Sequence, residues 1–121
     1  VTLAVLCSGQ GGQHAAALEI VSGDAVAEDV LAEGALALEE SPRDWLNDPV
    51  ALFDNRVAQP LICLSQLAIW SALRIRVPAP SAFAGYSVGE LASYACAGAM
   101  GARELADLAR RRASLMDAAA E

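Results

Sequence analysis

The sequence predicts an α/β domain built on parallel strands flanked by helices, and three observations predict it. An apolar run near the start stops at a glycine-rich turn, helical segments with spaced apolar residues follow, and a second short apolar run enters another sharp glycine turn that opens into a helix. Strands that alternate with helices in this way pair in parallel, with the helices packed over them.

The first run, Thr2 to Cys7, ends at Ser8, Gly9, Gln10, Gly11 and Gly12, the pattern of a strand buried on both faces as it enters a turn. His14 to Val21 has a helical pattern. After the break at Ser22, Gly23 and Asp24, the segment Ala25 to Leu38 carries Val26, Val30, Leu31 and Leu38 at helical spacing opposite Glu and Asp. Gly34 weakens that helix. The polar connection through Ser41, Pro42, Arg43, Asp48, Pro49 and Asn55 has room only for short helical turns. A long helix is predicted from Gln59 and Pro60, where proline suits the first turn because its missing N–H would be unpaired there anyway. Leu61, Leu64, Ala68, Ile69 and Ala72 share a face of it, and Pro78 and Pro80 end it. Ser81 to Ala84 reads as a short strand leading into Gly85, Tyr86, Ser87, Val88 and Gly89, then a helix through Glu90 to about Cys96. A last helix is predicted from Arg103 to Ala119, with Leu105, Leu108, Leu115 and Met116 on its apolar side.

Composition narrows the class. The 121 residues are 55% apolar but only 5% aromatic, and 8 Lys and Arg against 15 Asp and Glu give a net charge of −7. A chain this apolar can bury a core, which argues against disorder, and one this acidic with no aromatic and basic stripe is a poor nucleic-acid binder. The most apolar stretch, Leu61 to Val77, is interrupted by Ser65, Gln66, Ser71, Arg74 and Arg76, whereas a spanning helix needs about 20 largely uninterrupted apolar residues. No membrane segment is expected. The residues up to Cys7 lack the basic leader of a signal peptide, so the expected location is cytoplasmic. Cys7, Cys63 and Cys96 are odd in number, far apart and in apolar settings, which indicates buried free thiols, with no disulfide framework and no metal site.

The chemistry gathers at two turns. Gly85 to Gly89 matches the Gly-x-Ser-x-Gly nucleophile elbow, a strand-to-helix turn so tight that its flanking positions need glycine. It holds the serine hydroxyl at the tip of the sheet, in a backbone conformation that costs about 1–3 kcal/mol, beside the N-terminus of the next helix. There the free N–H of Val88 and the helix dipole can stabilise an oxyanion. The same residues also fit a plain tight loop in which Ser87 caps the helix. The first loop, Gly9, Gln10, Gly11, begins like a dinucleotide fingerprint, but its sixth position is His14 and no Gly-Lys-Ser/Thr follows, so phosphate binding is not expected. Were the two strands neighbours, this loop would offer a second N–H to the oxyanion; otherwise it is an ordinary strand-to-helix turn.

A serine nucleophile needs a base. His14 is the single histidine, and its place just after the first loop suits a surface or helix-start residue better. Glu90 is close to Ser87 in sequence but suits a helix start, where a carboxylate meets the dipole. The catalytic set is therefore incomplete in these residues. Arg110, Arg111 and Arg112 form a basic run on an acidic chain. Three successive residues span about 300° of a helix, so at least one faces the body of the protein, where a guanidinium near Ser87 can hold a carboxylate through two hydrogen bonds.

Taken together, these features resemble the malonyl-CoA:acyl-carrier-protein transacylases and related acyltransferase domains, over nearly the whole chain. The family's glycine-glutamine opening appears as Gly9 to Gln13, its glutamine-proline helix as Ala58, Gln59 and Pro60, its elbow as Gly85 to Gly89 followed by Glu90, Leu91 and Ala92, and its arginine-to-methionine signature as Arg112 and Met116. The resemblance implies an α/β-hydrolase-like large subdomain, incomplete because the ferredoxin-like small subdomain and the C-terminal part would lie beyond residue 121. It implies that Ser87 takes the acyl group, that the N–H groups of Gln10 and Val88 form the oxyanion hole, and that Arg112 grips the malonyl carboxylate. Malonyl-CoA would be the substrate, with no permanently bound cofactor, and the acyl carrier protein the partner. The family's base is a histidine far downstream of the nucleophile, so the 121 residues are expected to be an inactive fragment of a longer protein.

Where the family has a proline, a serine and a histidine, this chain has Ser8, Gly12 and Tyr86. These departures are most similar to the transacylase subunit of malonate decarboxylase, which would add that enzyme's other subunits to the partners. Arg74, Arg76, Arg110 and Arg111 are candidates for a basic patch that docks an acidic carrier. Two rivals stand beside this reading: a serine hydrolase or esterase on the same elbow, and a non-catalytic interaction domain.

Overall fold

The computed structural model describes residues 2–121. Its elements are β1 (Ala4–Cys7), α1 (Ala25–Leu38), α2 (Pro42–Trp45), α3 (Asn55–Leu73), β2 (Ala82–Gly85), α4 (Val88–Cys96) and α5 (Ala102–Ala120), with single 3-10 turns at Glu19–Val21, Ala51–Phe53 and Arg74–Arg76. β1 and β2 pair in parallel, with Ala4 opposite Ala82, Val5 opposite Phe83, Leu6 opposite Ala84 and Cys7 opposite Gly85. The predicted class, α/β with parallel strands flanked by helices, is the one observed. Because the strands point the same way and end in register, the turns that leave them start side by side.

α3 is the axis of the molecule. Twelve of its residues are buried, among them Val57, Gln59, Leu61, Cys63, Leu64 and Trp70, as befits a helix enclosed on nearly all sides. One of its faces joins Leu18, Val21, Leu31, Leu38, Trp45 and Leu52 in a first cluster; another joins Cys7, Val88, Ala92, Cys96 and Leu105 in a second, beneath the sheet. Alanine and glycine let the helices approach closely. A Cβ on Gly34 would stand 2.5 Å from Leu64, so the residue that weakens α1 locally is the one that seats it on α3. Trp70 meets Phe83 of β2 edge-to-face at 5.7 Å and donates its indole N–H to the carbonyl of Cys96 at 3.0 Å, tying α3 to the sheet and to the end of α4.

Three expectations are corrected, and that of buried free thiols holds. α3 starts at Asn55, one turn before Gln59, because the carbonyl of Asp54 already accepts from the N–H groups of Val57 and Ala58; Pro60 consequently lies inside the helix and leaves the Arg56 carbonyl without its usual i+4 donor. His14 to Val21 is a chain of tight turns, with Ala17, Glu19 and Val21 each bonding three residues back, since so short a segment cannot repay the cost of nucleating an α-helix. The strands are covered on one face only: Val5, Cys7 and Phe83 point toward the helices while Ala4, Leu6, Ala82 and Ala84 are exposed, Leu6 by 78%. The cysteines, distant in sequence, all lie in the cluster beneath the sheet as buried free thiols. Among the described residues no helix is long and apolar enough to cross a membrane.

Candidate active site

The site is built where β1 and β2 end. Gly85 and Gly89 make the elbow possible for different reasons. A Cβ on Gly85 would stand 2.1 Å from the carbonyl oxygen of Gly89, inside the turn itself, whereas a Cβ on Gly89 would stand 2.3 Å from the carbonyl oxygen of Cys7 and 2.5 Å from that of Ser8. Gly89 is thus the contact through which the elbow lies against the neighbouring loop. On the other side of that contact, a Cβ on Gly9 would meet the Tyr86 carbonyl at 3.0 Å and the Ser87 Cβ at 3.3 Å. The first glycine loop adjoins the serine.

Ser87 has φ 56° and ψ −125°, a left-handed conformation that a non-glycine residue holds only under constraint from its surroundings. Its side chain makes no capping bond to α4, which rules out the cap as the explanation of the strain. It is exposed, and its Oγ accepts from Nη2 of Arg112 at 3.2 Å. Val88, the first residue of α4, is buried, and neither its N–H nor that of Gln10 has a protein acceptor among the described residues. The residue after Ser87 and the residue after Gly9, which packs against Ser87, thus each carry an N–H with no protein acceptor among the described residues, and a donor of that kind is what a developing oxyanion needs.

The loop that carries Gln10 contains three glycines, and polar side chains hold it. Gln13, buried, accepts from the N–H of Gly11 at 2.8 Å and donates to the carbonyl of Leu52 at 3.0 Å. Gln66 of α3 donates to the Ser8 carbonyl at 2.8 Å and to its hydroxyl at 3.0 Å. Nε2 of Gln10 donates to Oδ1 of Asn55 at 3.0 Å.

Of the three successive arginines only Arg112 faces the elbow. Arg110 and Arg111 turn to Asp107, at 3.4 and 2.8 Å. Nη1 of Arg112 donates to Oε1 of Gln59 at 2.9 Å, and Met116, one turn on, offers its sulfur at 2.9 Å. Gln59 is completely buried, so its amide is a fixed clamp on the guanidinium. Sequence reading noted the Gln59-Pro60 pair without giving it a role, and it missed Asn55 and Gln66; nothing local marks an amide as a clamp until the helices that face it are placed. An open apolar trough of about 510 Å³, lined by Leu91, Leu108, Leu115 and Met116, adjoins Arg112.

Other candidates are not brought in. His14 is exposed and makes no bond to Ser87. Glu90 lies in the first turn of α4, exposed. Arg74 and Arg76 follow the end of α3 opposite Gln59, about 22 Å from it at the rise of an α-helix, whereas Arg110 and Arg111 pair with Asp107. Beneath the elbow the Cys63 thiol donates to the Val88 carbonyl at 3.6 Å, and burial pushes its pKa up to about 12. The neighbouring Cys7 thiol, with burial, pushes the Cys96 thiol up as well. These thiols are structural, since a reactive cysteine needs thiolate character and access.

The strand-elbow-helix unit, with a second loop and an arginine meeting at its serine, is carried by an α/β fold that solved structures share. The chain superposes on the acyl-carrier-protein S-malonyltransferase of Burkholderia pseudomallei with a TM-score of 0.87 at 29% identity, covering 94% of this chain and 38% of that one. The acyl carrier protein S-malonyltransferase of Vibrio cholerae gives 0.85 at 27% identity, over 94% and 39%. A malonyl-transacylase solved in complex with its type II PKS acyl-carrier protein gives 0.90 at 28% identity, over 98% and 40%. The chain thus spans about two fifths of the length of these structures. No family model matches the sequence, and no curated protein matches it.

Proposed function

We propose that these residues form the N-terminal part of the large subdomain of an acyltransferase that moves a malonyl group from CoA to the thiol of an acyl carrier protein. The observation that carries the reading is the parallel register of β1 and β2 with Gly9 packed against the strained, exposed Ser87, which supports a pairing of the Gln10 and Val88 amides at that serine. The similarity to malonyltransferases at 27–29% identity supports it.

In the proposed mechanism Ser87 Oγ attacks the thioester carbonyl while its proton passes to a base. The carbonyl oxygen becomes an oxyanion held by the N–H groups of Gln10 and Val88, and the C–S bond then breaks as the thiol takes the proton. The resulting malonyl-serine ester undergoes the reverse sequence with the carrier thiol, so one oxyanion hole serves both halves. Arg112 turns from Ser87 to the malonyl carboxylate, which it can engage through two hydrogen bonds while Gln59 holds its other edge. The base is a histidine outside the 121 residues; His14 is not placed for the task. Ser8, Gly12 and Tyr86 favour the malonate decarboxylase branch of this chemistry.

The test is acylation by malonyl-CoA in the native protein that contains this chain. Mass spectrometry should find the malonyl ester on Ser87, and Ser87→Ala should abolish it; labelling that survives this substitution rejects the assignment. Hydrolysis of neutral esters with equal efficiency, indifferent to Arg112, would favour the hydrolase.

A further inference from the structure

A chain of side-chain amides runs from the last turns of α5 to the guanidinium beside Ser87, and it has a direction. Asn55, the first residue of α3, donates Nδ2 to Oδ1 of Asp117 at 2.6 Å. Its Oδ1 accepts from Nε2 of Gln10 at 3.0 Å and faces Nε2 of Gln59 at 3.5 Å. Gln59 in turn presents Oε1 to Arg112.

An amide can sit either way round in a pocket, and its neighbours decide which. Arg112 can only donate, so Gln59 must show it oxygen; that requires an acceptor for the Gln59 amide nitrogen at the other end. The sulfur of Met116, 3.3 Å from that nitrogen, is a weak one. The stronger one, Oδ1 of Asn55, faces Gln59 only because the other end of Asn55 meets a carboxylate, which accepts and never donates. We infer that Asp117 and Asn55 are positioning residues: the charge at Asp117 orients Asn55, Asn55 orients Gln59 and the Gln10 side chain, and Gln59 thereby holds Arg112 where an acyl carboxylate arrives. This rests on the acyl-transfer reading above.

Long-range charge and the amide chain predict opposite signs. A carboxylate close to Arg112 repels an anionic acyl group, so on charge alone Asp117→Asn strengthens malonyl binding. By the chain, Asp117→Asn frees Asn55 to flip, lets Gln59 turn its NH₂ toward the guanidinium, and weakens malonyl binding. Asp117 is on the surface, so the substitution leaves the fold in place.

The experiment measures transfer from malonyl-CoA and from acetyl-CoA in the native protein carrying Asp117→Asn, the exchange Asn55→Asp with Asp117→Asn, or Arg112→Ala. Asp117→Asn should raise KM for malonyl-CoA about tenfold, the scale of one hydrogen bond to a charged group, and change acetyl transfer far less, since Gln13 and Gln66 still hold the loop that carries Gln10. The exchange restores malonyl KM, because a carboxylate at position 55 can only accept from Gln59 and Gln10 while the new amide at 117 donates to it. Malonyl KM unchanged or lowered in Asp117→Asn, a parallel fall for both donors, or an exchange no better than the single variant each overturns the inference. Arg112→Ala separates the two levels: if it spares malonyl selectivity the acyl-transfer reading fails, and if it destroys selectivity while Asp117→Asn does not, only the amide chain fails.

Discussion

Arg112 reaches Ser87 across 25 residues of sequence, its Nη2 standing 3.2 Å from the serine Oγ while its Nη1 is held by buried Gln59. The guanidinium is therefore aimed before any ligand arrives, and little conformational entropy is left to lose on binding. Arg112→Ala should lower malonyl transfer about 100-fold relative to acetyl transfer, the worth of a paired charge-assisted contact. Arg112→Lys should recover little of it, since a single ammonium cannot hold Gln59 and both oxygens of a carboxylate. Competition between the two donors measures both.

The left-handed backbone at Ser87 makes a prediction that separates stability from chemistry. Ser87→Gly should relieve the strain and, after the entropic cost of glycine, raise stability by about 1 kcal/mol while abolishing acylation. Denaturant unfolding and mass spectrometry on the same samples check both halves.

Gly89 is the contact between the elbow and the loop after β1. Gly89→Ala would drive a methyl group into the carbonyls of Cys7 and Ser8, and backbone cannot yield as a side-chain tip can. A loss of about 3 kcal/mol or failure to fold is expected. Gly12→Ala meets nothing within 4 Å and should be close to neutral in the same assay.

Cys63 makes stability fall at alkaline pH. Its pKa is pushed up from 9.0 to about 12 by burial, so the folded state favours the neutral thiol. That contribution is whole below pH 9 and is lost as pH rises toward 12. The thermal midpoint should drop across this window, and Cys63→Ala should flatten that part of the profile even though it lowers stability at neutral pH.

Local rules were enough for the elbow, for α1 and for the two strands, because a glycine-flanked serine after an apolar run and apolar residues at helical spacing act within a few residues of themselves. The same rules misplaced the start of α3, where Asp54 as the helix boundary outweighed the preference of Pro60 for a first turn. They also treated Thr2 to Cys7 as covered on both faces, since an apolar run shows that a strand can be buried without showing what covers it.

By itself, then, the order of residues determined the candidate nucleophile, the pair of turns that flank it and the arginine run. Only the tertiary structure decided that the turns touch, that Arg112 alone among the three arginines faces Ser87, and that Asn55, Gln59 and Gln66 act as clamps. The physical reason is that a hydrogen bond between side chains depends on how helices far apart in sequence are packed, and the packing of α3 between the sheet and α5 is a property of the whole core.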